Sequence, residues 1–329
     1  MSYKLYKINN IKEKKRIIEI EKVLSFNWQD NINNVFTSFD FESKTKLNCG
    51  DWIELFNQDD KESVFVGVII RAIQDNEETF TYSGYDLGFY LEKNSTVIQF
   101  KNAKISKAMA DVCTKGQLII GEIPEIDLTV TKIYQNETLS EILKDLYKIA
   151  LDKGFKDKYF FNCKDGKVNL LMYAENNDLK GYIANLYSIK SFDCIKSYKK
   201  TSSIENLKNR VELYTSNSAN NDSIGKKLYI KGNEKSIKEY GLLNHIEEID
   251  AEKKQDFEKL AENKLNELNK LKDEISFEVI GDNKLQSGTI TTIQNKKIDV
   301  DDAYKVISSN HTINGTKEEV SVSVIKYKK

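Results

Sequence analysis

Residues 303–324 read AYKVISSNHTINGTKEEVSVSV. The valines at 320, 322 and 324 alternate with serines, the period-two pattern of a strand with one face in a core and one in water. Asn314-Gly315 supplies the positive φ angles of a tight hairpin turn, so the run from Val306 and Ile307 folds back on Val320–Val324. Upstream, Phe277, Val279, Ile290 and Ile293 continue the pattern with turns at Gly281 and Gly288. The last fifty residues are therefore expected to form four short strands.

A different period precedes them. Phe257, Leu260, Ala261, Leu265, Leu268, Leu271 and Ile275 recur at spacings of three and four among Lys, Glu and Asn. This predicts a long helix over 251–274 with its apolar face on a sheet and its back in water. Its spacing is not a sustained coiled-coil heptad. Strands are expected at 211–215 and 227–231, separated by the polar run SNSANNDSIG.

The first hundred residues also read as strands, with Ile17, Ile18, Ile20, Val23 and Leu24, then Trp52 to Phe56, then a hairpin of 64–73 and 79–85 around Gln74-Asp75-Asn76-Glu77. Between about 100 and 195 helical spacing returns. Ile105, Ala108, Met109, Val112 and Cys113 make one stripe that stops at Gly116. Thr138 and Glu141 form a T-x-x-E capping box for a second helix through Leu139, Ile142, Leu143, Leu146, Tyr147 and Ala150. Asp165-Gly166 then signals a hairpin. The expected fold class is mainly β with an α+β insert: a barrel-like domain at 1–100, an inserted α/β domain at 101–195, and a second barrel-like domain at 196–329 carrying the long helix.

Composition narrows the function. The 50 basic and 51 acidic residues nearly cancel, and among the basic ones only Arg16, Arg71 and Arg210 are arginines. Without a global field or many guanidinium forks, specific nucleic-acid recognition is disfavoured. Cys49, Cys113, Cys163 and Cys194 include no CxxC pair, so four reduced thiols are expected rather than a zinc site or a disulfide framework. The start MSYKLYKINN lacks an apolar signal core, and the longest apolar stretch, 64–70, is far too short to span a bilayer. Synthesis in the cytoplasm without a membrane anchor is expected.

Chemistry is sparse. His245 and His311 are the two histidines. Ser308 and Ser309 lie beside His311, but strand neighbours point to opposite faces and no G-x-S-x-G elbow occurs, so a catalytic triad is not expected. Asp299, Asp301 and Asp302 lack the turn glycine and closing glutamate of an EF-hand loop and read as a solvated turn. No phosphate-binding glycine motif is present. Paired carboxylates for glycan cleavage leave no readable spacing, and the 17 tyrosines and 15 phenylalanines are better explained by half-buried sheet positions than by carbohydrate stacking. No catalytic, cofactor or metal residue is nominated.

A family resemblance adds to this reading. GDWIELF (50–56), VFVGVIIRAI (64–73) and YSGYDLGFYLEKN (82–94) come first. AKISKAMADVCTKG (103–116), ETLSEILKDLYKIALDKG (137–154) and KDGKVNLLMY (164–173) follow. Then come IENLKNRVELY (204–214), SIKEYGLL (236–243), the Lys/Glu helix, IGDNKLQSGTITTI (280–293) and the opening stretch. In this order they resemble the baseplate hub proteins of contractile phage tails, the PBSX-type prophage tail proteins related to the late control protein D family. The resemblance implies a non-enzymatic homotrimer in a phage, prophage or tail-like bacteriocin particle. Two barrel-like domains per subunit would present six to a sixfold tail tube and a threefold face to the spike, with other baseplate proteins as further partners. The alternative is a tail-associated peptidoglycan hydrolase or carbohydrate-binding module.

Overall fold

The computed structural model describes residues 2–156, 159–164, 166–172, 186–189, 195–215, 225–249, 256–280, 285–295, 300–315 and 317–327. The chain forms two compact units, Met1–Lys199 with Ser276–Lys329, and Lys200–Ile275.

The first unit opens with β1 (Tyr3–Ile8), β2 (Arg16–Glu19), β3 (Val23–Asn31), β4 (Ser38–Ser43), β5 (Trp52–Asn57), β6 (Glu62–Gln74) and β7 (Phe80–Tyr85). It continues with α1 (Gly88–Lys93), β8 (Ser95–Lys104), α2 (Ile105–Lys115), β9 (Thr129–Thr138), α3 (Leu139–Asp152), β10 (Tyr159–Lys164), β11 (Lys167–Met172), β12 (Leu186–Ile189) and β13 (Ile195–Ser203). The second unit holds β14 (Arg210–Thr215), β15 (Lys227–Gly232), α4 (Glu234–Tyr240), β16 (Asn244–Ile249) and α5 (Phe257–Leu268). The chain ends with β17 (Lys272–Ile280), β18 (Ile290–Asn295), β19 (Val300–Asn314) and β20 (Lys317–Lys326). The protein is mainly β.

Thirteen strands form one sheet in the order β13-β17-β20-β19-β3-β4-β7-β6-β5-β1-β2, with β18 pairing both β19 and β12. Residues 303–324 link the C-terminal strands to the N-terminal ones in it. β19 and β20 do form the hairpin expected at Asn314-Gly315, but they are long, 15 and 10 residues. The far edge of β19 pairs antiparallel with β3, placing Asp30 opposite Ser309, Trp28 opposite His311 and Phe26 opposite Ile313. The strands expected in two barrels thus share one ladder. Within it, strands of 276–326 adjoin strands of the first hundred residues. Strand partners 277 to 287 positions apart leave no local signal.

Phe26, Trp28, Phe39, Phe41, Phe65 and Tyr82 fill the core between β3, β4, β6 and β7. The bulk of these rings demands bare backbone nearby. A Cβ on Gly84 would lie 1.9 Å from the Val68 carbonyl oxygen and 2.7 Å from the Phe39 ring.

A second core lies under β8 and β9, where α2 and α3 bury Ile105, Ala108, Met109, Val112, Leu139, Ile142, Leu143 and Leu146. The capping box is present. Thr138 Oγ1 accepts the Glu141 N–H at 3.2 Å, and Glu141 Oε2 accepts the Thr138 N–H at 2.8 Å. β10 and β11 pair around Gly166, whose φ of 71° is the left-handed geometry that the turn requires. These elements match the α+β character expected of the middle region.

In the second unit, α5 lays Ala261 and Leu265 on Val211, Leu213 and Ile249 of the three-stranded sheet β15-β14-β16. Asp256 Oδ1 caps it by accepting the Lys259 N–H at 3.1 Å. The helix expected over 251–274 is described from Phe257 to Leu268, and residues 251–255 lie outside the described residues. From Lys272 the chain is strand. Leu268, Leu271 and Ile275 imitate helical spacing. The alternation of Ile275, Phe277 and Val279, all buried, wins because those side chains enter a sheet core, while Leu271 is left 47% exposed. The helix packs on this small sheet.

Candidate functional site

The ladder between β3 and β19 carries a buried polar seam. Strand geometry puts Ser309 and His311, two residues apart, on the same face. His311 is fully buried and Ser309 and Glu318 nearly so. His311 Nδ1 lies 3.1 Å from Glu318 Oε1, and Glu318 Oε2 accepts the Tyr3 hydroxyl at 2.5 Å. His311 Nε2 lies 3.0 Å from the Leu285 carbonyl oxygen and 3.1 Å from Ser309 Oγ. Ser309 donates its hydroxyl to Asp30 Oδ1 at 2.7 Å, and the same oxygen accepts the N–H groups of Ser309 and Ser287 at 3.1 and 3.0 Å.

These contacts fix the proton wiring. The Leu285 carbonyl only accepts, so Nε2 carries hydrogen. Ser309 Oγ accepts from that nitrogen and donates to Asp30. A serine nucleophile needs the reverse: an imidazole lone pair facing its own O–H. Ser309 and His311 do meet, contrary to the expectation from sequence, because the spacing that matters on a strand is two residues rather than one. Their polarity is that of a structural network. Burial raises the Asp30 carboxyl above its usual range, opposed by the nearby His311 charge and by hydrogen bonds from Ser309 and Ser287.

Next to Asp30 lies a cavity of about 30 Å³ lined by Trp28, Asp30, Thr37, Ser63, Asn162, Cys163, Lys164 and Gln286, among others. Asp86 is also buried in this unit, 2% exposed, and accepts the Gly88 N–H at 2.8 Å. Burial pushes its carboxyl up to about 8, against hydrogen bonds from Gly88 and Thr37 and reinforced by the charge of Asp30. Sequence reasoning missed Tyr3, Asp30, Asp86, Ser287 and Glu318 as members of one region. Nothing local marks them, since they come from five distant segments.

The other candidates fall elsewhere. His245, in the second unit, has Nε2 3.5 Å from Glu247 Oε2, with Lys264 3.9 Å from the same oxygen. Asp302 pairs with Lys326 across the β19–β20 ladder, and Asp299 lies outside the described residues. Among the described residues no group of three His, Cys, Asp or Glu side chains is arranged to hold a metal, and no helix is long and apolar enough to cross a membrane.

The model of one protein family, described as YQBQ-like, matches residues 26–325. The chain belongs to the YQBQ-like family. Among curated relatives, the phage-like element PBSX protein XkdQ of Bacillus subtilis (strain 168) is 23% identical over 288 residues, 84% of this chain and 82% of that protein. The PBSX-type likeness drawn from the sequence segments is thereby met. Two solved structures share the fold over nearly the full length of this YQBQ-like chain. The 43 kDa tail protein of prophage MuSo2 from Shewanella oneidensis superposes with a TM-score of 0.69 at 14% identity, covering 99% of this chain and 98% of its own. A tail protein from Neisseria meningitidis MC58 gives 0.70 at 11% identity, covering 98% and 96%.

Proposed function

We propose that this YQBQ-like protein is a structural component of a phage-type tail baseplate, and more specifically a trimeric hub between a sixfold tail tube and a threefold spike. Membership of a family whose relatives include the PBSX protein XkdQ, together with a fold shared by two tail proteins along almost the whole chain, supports the tail role. The observation that carries the hub reading is the β3–β19 ladder. It joins N-terminal strands to C-terminal strands within one sheet. On this proposal, each subunit contributes two barrel-like halves, so that a trimer offers six similar surfaces to a sixfold ring.

The polar seam fits a scaffold better than an enzyme, because its serine hydroxyl and histidine are spent on each other and on Asp30. Wall cleavage is then left to partners. The test is the mass of the purified protein by light scattering, followed by electron microscopy of its mixtures with a tail tube protein and a spike protein from the same particle. A trimer that joins both is expected. A monomer that binds neither and clears cell walls on a zymogram favours a hydrolase.

A further inference from the structure

The small sheet of the second unit has two free edges of opposite charge. Its order is β15-β14-β16, and among the described residues neither β15 nor β16 pairs with any strand but β14. The chain enters β15 through Lys226 and Lys227 and reaches Lys231 near its end, whereas β16 runs out through Glu247 and Glu248. Part of this charge is neutralised locally. Lys227 lies 3.5 Å from Glu212, Lys231 3.8 Å from Glu258 and Lys264 3.9 Å from Glu247. Lys226 and Glu248 are both exposed and make no ion pair among the described residues.

The face turned away from α5 adds an apolar row. Val211 and Leu213 pack with α5, so Glu212 between them points the other way, opposite Ile230 on one neighbouring strand and Ile246 on the other. Glu212 is buried, held by Arg210, Tyr214, Lys227 and Asn244, but Ile230 is 42% exposed and Ile246 60%. The row ends in a bare isoleucine at each edge.

Unpaired N–H and C=O groups along a sheet edge are a template for another strand, and lysines commonly guard against it. Guarding requires like charge on the edges that meet. Here one edge is basic and the other acidic, so two copies of the chain attract through them. Charge also sets the direction, because an antiparallel approach lays the Lys226-Lys227 start of β15 beside the Glu247-Glu248 end of β16. With Ile230 opposite Ile246 in that ladder, Lys226 falls diagonally from Glu248, within reach of long side chains. Each chain carries one edge of each kind. A head-to-tail contact around a threefold axis uses every edge once and leaves none open.

We propose that in the trimer, on which this inference rests, β16 of each copy pairs antiparallel with β15 of the next, joining the three small sheets into one closed ring.

The test places cysteines at both isoleucines of the full-length protein, Ile230→Cys with Ile246→Cys, after the exposed Cys49 is changed to serine. Within one chain β14 lies between the two positions, which sets them two strand spacings apart, roughly 9 to 10 Å, beyond the reach of a disulfide. A bond between them therefore joins copies. Mild oxidation is expected to give a covalent trimer on denaturing, non-reducing gels, and neither single variant should cross-link. Lys226→Glu and Glu248→Lys should each weaken association at least about tenfold, read by light scattering on dilution, and the two together should restore it. Cross-linking by Ile246→Cys alone would mean a β16–β16 dimer and overturn the proposal, as would covalent polymers without an end. A wild-type trimer with no cross-link and no response to either charge reversal would overturn the edge pairing and leave the hub reading standing. A wild-type monomer would overturn both.

Discussion

His311 lies flat on Trp28, with ring centroids 4.3 Å apart and planes 7° from parallel. The two residues face each other across the β3–β19 ladder, so the stack joins the N-terminal and C-terminal segments at the point where they share one sheet. The indole face shields the imidazole from water while Glu318 and Ser309 occupy its two nitrogens. Removing the ring strands several polar groups at once. His311→Ala should therefore cost about 3 to 5 kcal/mol, the range for breaking a buried charged network by deleting one partner. Urea unfolding compared with a surface control, Lys270→Ala, is the measurement. A loss no larger than the control would mean that the seam is not what holds β3 to β19.

Asp86 makes stability depend on pH. Its folded carboxyl is raised from 3.8 to about 8 by burial, so the folded protein holds a proton that the unfolded chain has released. The stability gained from this group is complete below about pH 4 and is lost as pH rises towards 8. Asp86→Asn keeps a neutral polar group in place at every pH. Relative to the wild type it should gain stability steadily between pH 5 and pH 8. Thermal unfolding of both proteins at four pH values would show it, and a constant difference between them would contradict it.

Gly84 is required by contact rather than by backbone angle. With Val68 O at 1.9 Å and the Phe39 ring at 2.7 Å from any Cβ, Gly84→Ala must push β7 off β6 or displace Phe39 from the aromatic core. A loss at or above about 3 kcal/mol is expected, the upper end for overpacking a core. Gly315→Ala meets no neighbour within 4 Å but sits at a φ of 62°, so it should cost only about 1 kcal/mol of backbone strain. Chemical denaturation of the two variants ranks them.

On α5 the burden falls on Leu265, 6% exposed, with Leu260 and Leu268 half-buried at its flanks. Leu265→Ala should cost about 2 to 4 kcal/mol, more than either flanking change. Lys259→Ala, on the exposed side, should stay within about 0.5 kcal/mol. Equal losses for Leu265 and Lys259 would mean that this helix is not seated on β14 and β15.

The thiols differ in reach. Cys49 is exposed, Cys113 is buried with its thiol pushed up to about 12, and burial likewise raises Cys163. A maleimide should label Cys49 within minutes in the native protein and reach Cys113 and Cys163 only after unfolding. With Cys194, four free thiols are expected under denaturing, non-reducing conditions. Rapid native labelling of Cys113 would show that the α2–α3 core opens.

What the sequence determined is local. The valine-serine alternation at 320–324, the Asn314-Gly315 turn, the Thr138–Glu141 capping box and the α2 stripe each depend on residues within a few positions, where backbone sterics and one short hydrogen bond decide the outcome. The mainly β class and the family likeness follow from many such signals in order. What only the tertiary structure decided is which strands pair and which polar groups meet. Ser309 and His311 looked unrelated until strand pleating put both on the face that meets Asp30 and Trp28, and Glu318 reached them by way of the hairpin. Asp30 and Ser309 are 279 positions apart. The free energy of closing so long a loop varies only weakly with its length, so nothing near either residue records the choice of partner. It is made by the aromatic core, which buries Phe26, Trp28 and Ile313 together and so sets β3 beside β19.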